Sequence, residues 1–180
     1  MRPFTWLFVL SSSLLIVASC SAPPPPGPEF RPEASIRDVM HAMVEPSAYV
    51  LWNSVAEIIS ASGTELRAPE TDDEWDEVRH GAIALRESMN LVLMDGRTVA
   101  YPGETSADPD TELEPEQIQA LIDGDRAAWT EHVHELQDAV GVAFAAIDAK
   151  DPAALMEAGS GIDTVCENCH LTYWYPEETP

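Results

Sequence analysis

Apolar residues recur along this chain at helical spacing, in four long stretches separated by segments rich in glycine, proline and acids. From about Ala34 to Ser62, the residues Ile36, Val39, Met40, Met43 and Val44 gather on one side at a 3.6-residue period, and Leu51, Val55, Ile58 and Ile59 carry an apolar face onward. The spacing predicts one long helix, kinked or broken at Pro46, where a backbone donor is missing, and stopped at Gly63. Thr71-Asp72-Asp73-Glu74 has the spacing of a capping box with acids where the helix dipole favours them. It opens a second helix with Trp75, Val78, Ala82, Leu85, Met89 and Val92 or Leu93 on its apolar stripe, ending near Asp95-Gly96. Arg97 to Leu113 reads as a loop, followed by a short helix from Pro115 to Ile122 that Gly124 interrupts. A third long helix spans Asp125 to Ala149, with Trp129, Val133, Leu136, Val140, Phe144 and Ile147 inward. Asp151-Pro152 starts the last, which turns Leu155, Ala158, Ile162, Val165, Cys166, Cys169 and Tyr173 inward. Gly159 and Gly161 are poor helix formers that either weaken it or permit a close neighbour. With no alternating stretch to predict a strand, the expected fold is all-α: an antiparallel four-helix bundle over residues 34–180.

The N-terminus follows a different pattern. Met1-Arg2, an apolar run from Phe4 to Val17 and small residues up to Cys20 form a secretory signal over residues 1–19, too short for a stable membrane span. A cut directly before Cys20 resembles the lipobox of bacterial lipoproteins, and that resemblance implies a lipidated Cys20. Ser21 stands where aspartate marks inner-membrane retention, so the expected address is the periplasm, anchored at the outer membrane. Residues 20–33 carry the run Pro23-Pro24-Pro25-Pro26, a semi-rigid tether extending ~3.1 Å per residue.

Charge narrows the partners. With 9 basic and 32 acidic side chains the formal net charge is −23, and Lys150 is the only lysine. Nucleic acid and anionic lipid surfaces are disfavoured, whereas a cationic redox protein suits the field; a generally acidic solvated surface explains the count equally well. A homodimer is compatible with the sequence.

The chemistry lies in Cys166-Glu167-Asn168-Cys169-His170. Two cysteines three apart share a helix face and can form thioethers with the two vinyl groups of a haem, and the next histidine projects toward iron. A structural zinc site needs four ligands, and the only further cysteine is Cys20. A thioredoxin-like dithiol belongs in a βαβ setting that is missing here. One such motif predicts one covalent haem c.

An all-helical chain with its CxxCH in the last helix resembles the class II c-type cytochromes, the cytochrome c′ and c-556 group. Met40-His41-Ala42-Met43 with Pro46 and Trp52, the Thr71–Trp75 entry and the Cys166–His170 motif with Tyr173 carry the likeness over roughly Ala34 to Tyr175. The chain departs from the group after the motif, where Leu171 to Pro180 holds no basic residue. The resemblance implies a haem inside the bundle, with His170 as proximal ligand and the first helix facing the other side. Low-spin members place a methionine there, and high-spin members leave the position open. Met40 and Met43 both fall within about 40° of the stripe's centre at about 100° per residue. Met40 is the favoured distal ligand, with Met43 and the flanking His41 as alternatives. Arg37, almost one turn before Met40, is the candidate partner of a haem propionate; Arg79 and Arg86 are weaker ones. His80, His132 and His134 have no comparable claim, and Trp52, Trp75 and Trp129 read as packing residues. No paired-carboxylate site argues for an enzyme. The expected function is single-electron transfer through His/Met-ligated iron, and the alternative is a high-spin protein binding NO or CO.

Overall fold

A computed structural model describes residues 30–175. The signal segment, Cys20 and most of the proline tether lie outside those residues, as do residues 176–180. Among the described residues no helix is long and apolar enough to cross a membrane. The protein is mostly helical, with one two-stranded sheet.

The expected first helix is divided. Helix α1 (Ile36–Val39) starts at a capping box in which the Ser35 hydroxyl accepts from Asp38 N–H and the Asp38 carboxylate accepts from Ser35 N–H. Its free amides at Ile36 and Arg37 donate to the carbonyls of Thr98 and Val99 at 2.8 and 3.1 Å, so a distant loop seats its N-terminus. A π-helical turn follows at Met40–Val44, with Glu45 N–H reaching Met40 O five residues back. Helix α2 (Glu45–Trp52) then begins with Pro46 in its first turn. Proline crowds the carbonyl four residues before it, and the ladder widens directly ahead of Pro46. The wider turn brings Val44 into the core and leaves Met43 40% exposed, where an unbroken α-helix keeps both on the inner stripe.

Two expectations are corrected beyond Trp52. Helix α2 stops there, with the Ser54 hydroxyl donating to Leu51 O at 2.6 Å. The stretch read as further helix is an antiparallel hairpin, β1 (Ala56–Ser60) and β2 (Gly63–Arg67), so the fold is not all-α. Adjacent β-branched Ile58 and Ile59 with Thr64 opposite favour extended backbone. Gly63, expected to stop a helix, instead takes φ +129° at the hairpin turn, which its missing Cβ allows. Ile58 and Ile59 are consequently exposed and not part of the core.

The remaining elements follow the sequence closely. Helix α3 (Asp72–Val92) has the Thr71/Glu74 capping box but ends two or three residues before Asp95-Gly96. Arg97 closes that end by donating to Leu91 O and, across the fold, to Ala34 O. Helix α4 (Pro115–Gly124) ends at Gly124, and α5 (Arg126–Ala149) begins beyond the Asp125 cap. Lys150, at φ 51°, turns the chain into α6 (Pro152–Tyr173), which runs unbroken through both glycines.

Contacts fix the directions. Gly81 of α3 packs on Val50 and Leu51, and its end binds Ala34, so α3 runs opposite to α1–α2. Arg79 pairs with Asp148 while Leu93 O accepts from Arg126, so α5 runs opposite to α3. Trp129 near the start of α5 meets Tyr173 at the end of α6, so these two are antiparallel as well. Ile36, Leu51, Leu85, Ile122, Trp129 and Ile162 sit fully buried in the core.

Candidate functional site

Helix α6 is seated by a bond between distant parts of the chain. Trp52 at the end of α2 donates its indole N–H to Gly159 O at 3.0 Å, and a Cβ on Gly159 would stand 3.3 Å from the Trp52 ring. The neighbour that Gly159 admits is therefore this tryptophan. Two turns further along α6, the helix carries Cys166, Cys169 and His170 into a cavity of about 410 Å³. That volume lies within the range of cofactor pockets. The π turn supplies another wall through Met40 and His41, and Arg37 lies at the same cavity.

Cys166, Cys169, His170 and Met40 are all half-buried, whereas His41 is exposed at the cavity's edge. Met43 is not among the lining residues. Arg37 donates to Thr105 O at 3.2 Å and lies 4.0 Å from Glu104, which holds its guanidinium beside the loop following α3. Arg79 instead stacks on the Phe144 ring at 5.4 Å and pairs with Asp148, and Arg86 lies beside Gln137; neither reaches the cavity. His80 and His134 are exposed and elsewhere.

Trp75 and Trp129 pack in the core, as does Tyr173, while Trp174 lies half-buried at the cavity, 6.2 Å from the His170 ring. Leu113 N–H donates to Trp174 O at 2.8 Å, so the end of the long loop fastens the end of α6.

Several residues reach the cavity without an obvious signal in the sequence. Val44, Ala48, Met89 and Leu136 give it an apolar floor, and Glu112 approaches from the loop. His132 lines it too, with its ring edge-on to Tyr173 at 5.8 Å. Its Nδ1 stands 3.2 Å from Glu135 Oε2 but makes no hydrogen bond. The one available signal was position: His132 follows Trp129 by three residues and precedes Leu136 by four, beside the α5 stripe.

The titrating groups have a consistent character. Burial pushes the Cys166 thiol up to about 11, helped by the Asp163 charge, and the Cys169 thiol up to about 12, helped by Cys166 and Glu135. Both are thereby thiols near neutrality, unlike the low-pKa thiolates of redox-active dithiols. Burial lowers the His170 pKa against a smaller opposing effect of Glu167, which keeps the imidazole neutral and its lone pair free for a metal. Among the described residues no three His, Cys, Asp or Glu side chains converge as an all-protein metal cage requires.

A haem fits these residues. Its macrocycle supplies most of the iron's ligands itself, so a sparse set of protein donors suffices. The floor is apolar, two thiols three apart face the space, and a neutral imidazole stands next to them. Compared with protein-family models, with curated proteins and with solved structures, the chain gives no match.

Proposed function

We propose that this protein is a monohaem c-type cytochrome of the class II kind, a four-helix bundle that carries single electrons. The observation that carries this reading is the meeting of Cys166, Cys169, His170 and Met40 at one apolar-floored cavity. When bound, a haem supplies a one-electron ferric/ferrous couple at its iron. Cys166 and Cys169 would hold the group through thioethers, and His170 would offer its neutral imidazole to the iron. Met40 would be the second iron ligand from the protein, and a soft thioether paired with histidine would raise the reduction potential. Arg37 offsets propionate charge at the rim, where it is the only arginine or lysine among the lining residues. The floor of Val44, Ala48, Met89 and Leu136 keeps water from the group and holds its surroundings rigid, which suits electron transfer.

The same reading places the protein in the periplasm, tethered through lipidated Cys20 and the proline run, with a redox protein as partner. Glu45, Glu112, Asp163 and Glu167 at the cavity make a cationic docking face on that partner the better match.

Visible spectra of the matured protein, oxidised, reduced and with CO, test the proposal. Low-spin spectra with a thioether charge-transfer band and no CO response support a methionine-ligated electron carrier. High-spin spectra with ready CO uptake would replace it by the gas-binding alternative. Protein matured alongside a haem-lyase system that carries no covalent haem would refute both.

A further inference from the structure

Among the described residues Ile59 of the hairpin is the most exposed large apolar side chain at 80%, with Leu66 50% and Ile58 44% exposed beside it. Among the described residues no third strand joins it, so each strand keeps an outer edge of unpaired main-chain groups. Isolated two-stranded hairpins are marginal in water, and this one carries three large aliphatic side chains into it.

The register shows what the β2 edge matches. Ser60 pairs with Gly63 across the two-residue connection Ala61-Ser62, which makes that pair a hydrogen-bonded position of the ladder. Alternation then turns the main chain of Thr64 and Leu66 outward on β2. A second copy of β2, antiparallel about a two-fold axis through Leu66, exchanges both hydrogen bonds at that residue. The same axis sets Glu65 of each copy opposite Arg67 of the other, at the closer non-hydrogen-bonded positions. Leu66 and Ile59 share one face of the hairpin, so the two copies join their aliphatic side chains into one strip. Arg67 already donates one Nη2 bond to Asn53 O at 3.1 Å, which holds its side chain at the hairpin base with further donors to spare. The β1 edge is a poorer template. A two-fold axis through its outward residue Glu57 would stack like charges, and one through Ile59 lies next to the turn and leaves few residues to pair.

We infer that this protein forms a two-fold dimer by pairing the β2 edges (Gly63–Arg67) of two copies into a four-stranded sheet. The interface is isologous, closes on itself and leaves the cavity residues Cys166, Cys169 and His170 outside it. The inference does not depend on the haem.

Sedimentation velocity on the full exported chain, carrying Cys20→Ser so that no acyl chain contributes, tests it from nanomolar to near-millimolar concentration. The expected result is a reversible dimer. Leu66→Pro removes only the outward-facing donor, because that amide takes no part in the β1 ladder, and should give a monomer at every concentration. Glu65→Arg places like charges opposite each other and should weaken the dimer by about tenfold or more. The swap Glu65→Arg with Arg67→Glu should restore it, which a merely structural role for either residue would not. A monomeric parent chain throughout, including one that binds neutral phosphatidylcholine vesicles through the hairpin instead, would overturn the inference. So would a dimer that neither Leu66→Pro nor Glu65→Arg weakens.

Discussion

Helix α6 presents Cys166, Cys169 and His170 from an unbroken helix of 22 residues, whereas the wall holding Met40 and His41 is assembled from four α-helical residues, a five-residue π turn and an eight-residue helix. The first wall is stiffened by its own ladder, by Asp151 accepting from Ala153 and Ala154, and by packing along its length on α5. The second depends on its neighbours: Thr98 and Val99 receive its first amides, and Gly81 gives Val50 and Leu51 room to approach α3. Under the proposed function the α6 wall holds three groups in fixed relation. A wall that offers one side chain as a ligand can take its direction from a local defect in a helix, and π turns frequently occur where function needs such a re-aimed side chain.

Substitutions separate the two walls. The largest effect is expected on α6. Cys166→Ser with Cys169→Ser should abolish covalent haem, read as loss of haem staining on a denaturing gel and of the pyridine haemochrome band. On the other wall, Met40→Ala should retain the covalent haem but convert its spectrum to high spin with CO uptake and lower its potential. Met43→Ala should leave the spectrum unchanged, because that side chain lies outside the cavity; an equal effect of both would break the distinction between them. Gly81→Ala should cost about 1–3 kcal/mol by denaturant unfolding, since the new Cβ would lie 2.6 Å from Val50 Cγ1 on a stiff side chain. Gly159→Ala, at 3.3 Å from Trp52 Cδ1, should cost less than about 1.5 kcal/mol.

The smallest effect concerns pH. Asp38 is held below its ordinary pKa chiefly by the Ser35 amide, then by Tyr101 and the Ser35 hydroxyl. A carboxylate depressed in the folded state stabilises above its unfolded pKa, and the contribution is lost as pH falls through the folded value. Asp38→Asn should therefore lower the melting temperature slightly at neutral pH. The gap to the parent should shrink once the pH passes below about 3.9, the ordinary aspartate value.

How much was legible in the sequence differs between the same two walls. The α6 site rests on neighbours within five residues, a spacing that any helix converts to one face, and Cys166, Cys169 and His170 do reach one cavity. Helices α3, α5 and α6 were equally readable because caps such as Thr71, Asp125 and Asp151 mark their starts. The first segment was not. Ile58 and Ile59 fit a helical stripe at 3.6-residue phase and also fit a strand, and only the turn at Gly63 decides between them. The π turn shifts phase by an inserted residue, which periodicity counts as noise, so a uniform helical period sets Met43 inward with Met40. His132 and Glu112 reach the cavity through packing between elements that no local pattern records.

The bond from Trp52 to Gly159 joins residues 107 positions apart, and that of Leu113 to Trp174 reaches over α4, α5 and α6. Contacts of such separation close long stretches of chain, an entropy cost that contacts between helices adjacent in sequence, such as α5 and α6, do not carry. Helix α6 can therefore pair with α5 across their short connection while its bond to Trp52, and with it the far wall of the cavity, is still unmade. Without that far wall one side of Cys166 and Cys169 faces solvent, and under the proposed function this is the state in which a bulky planar group would reach both thiols.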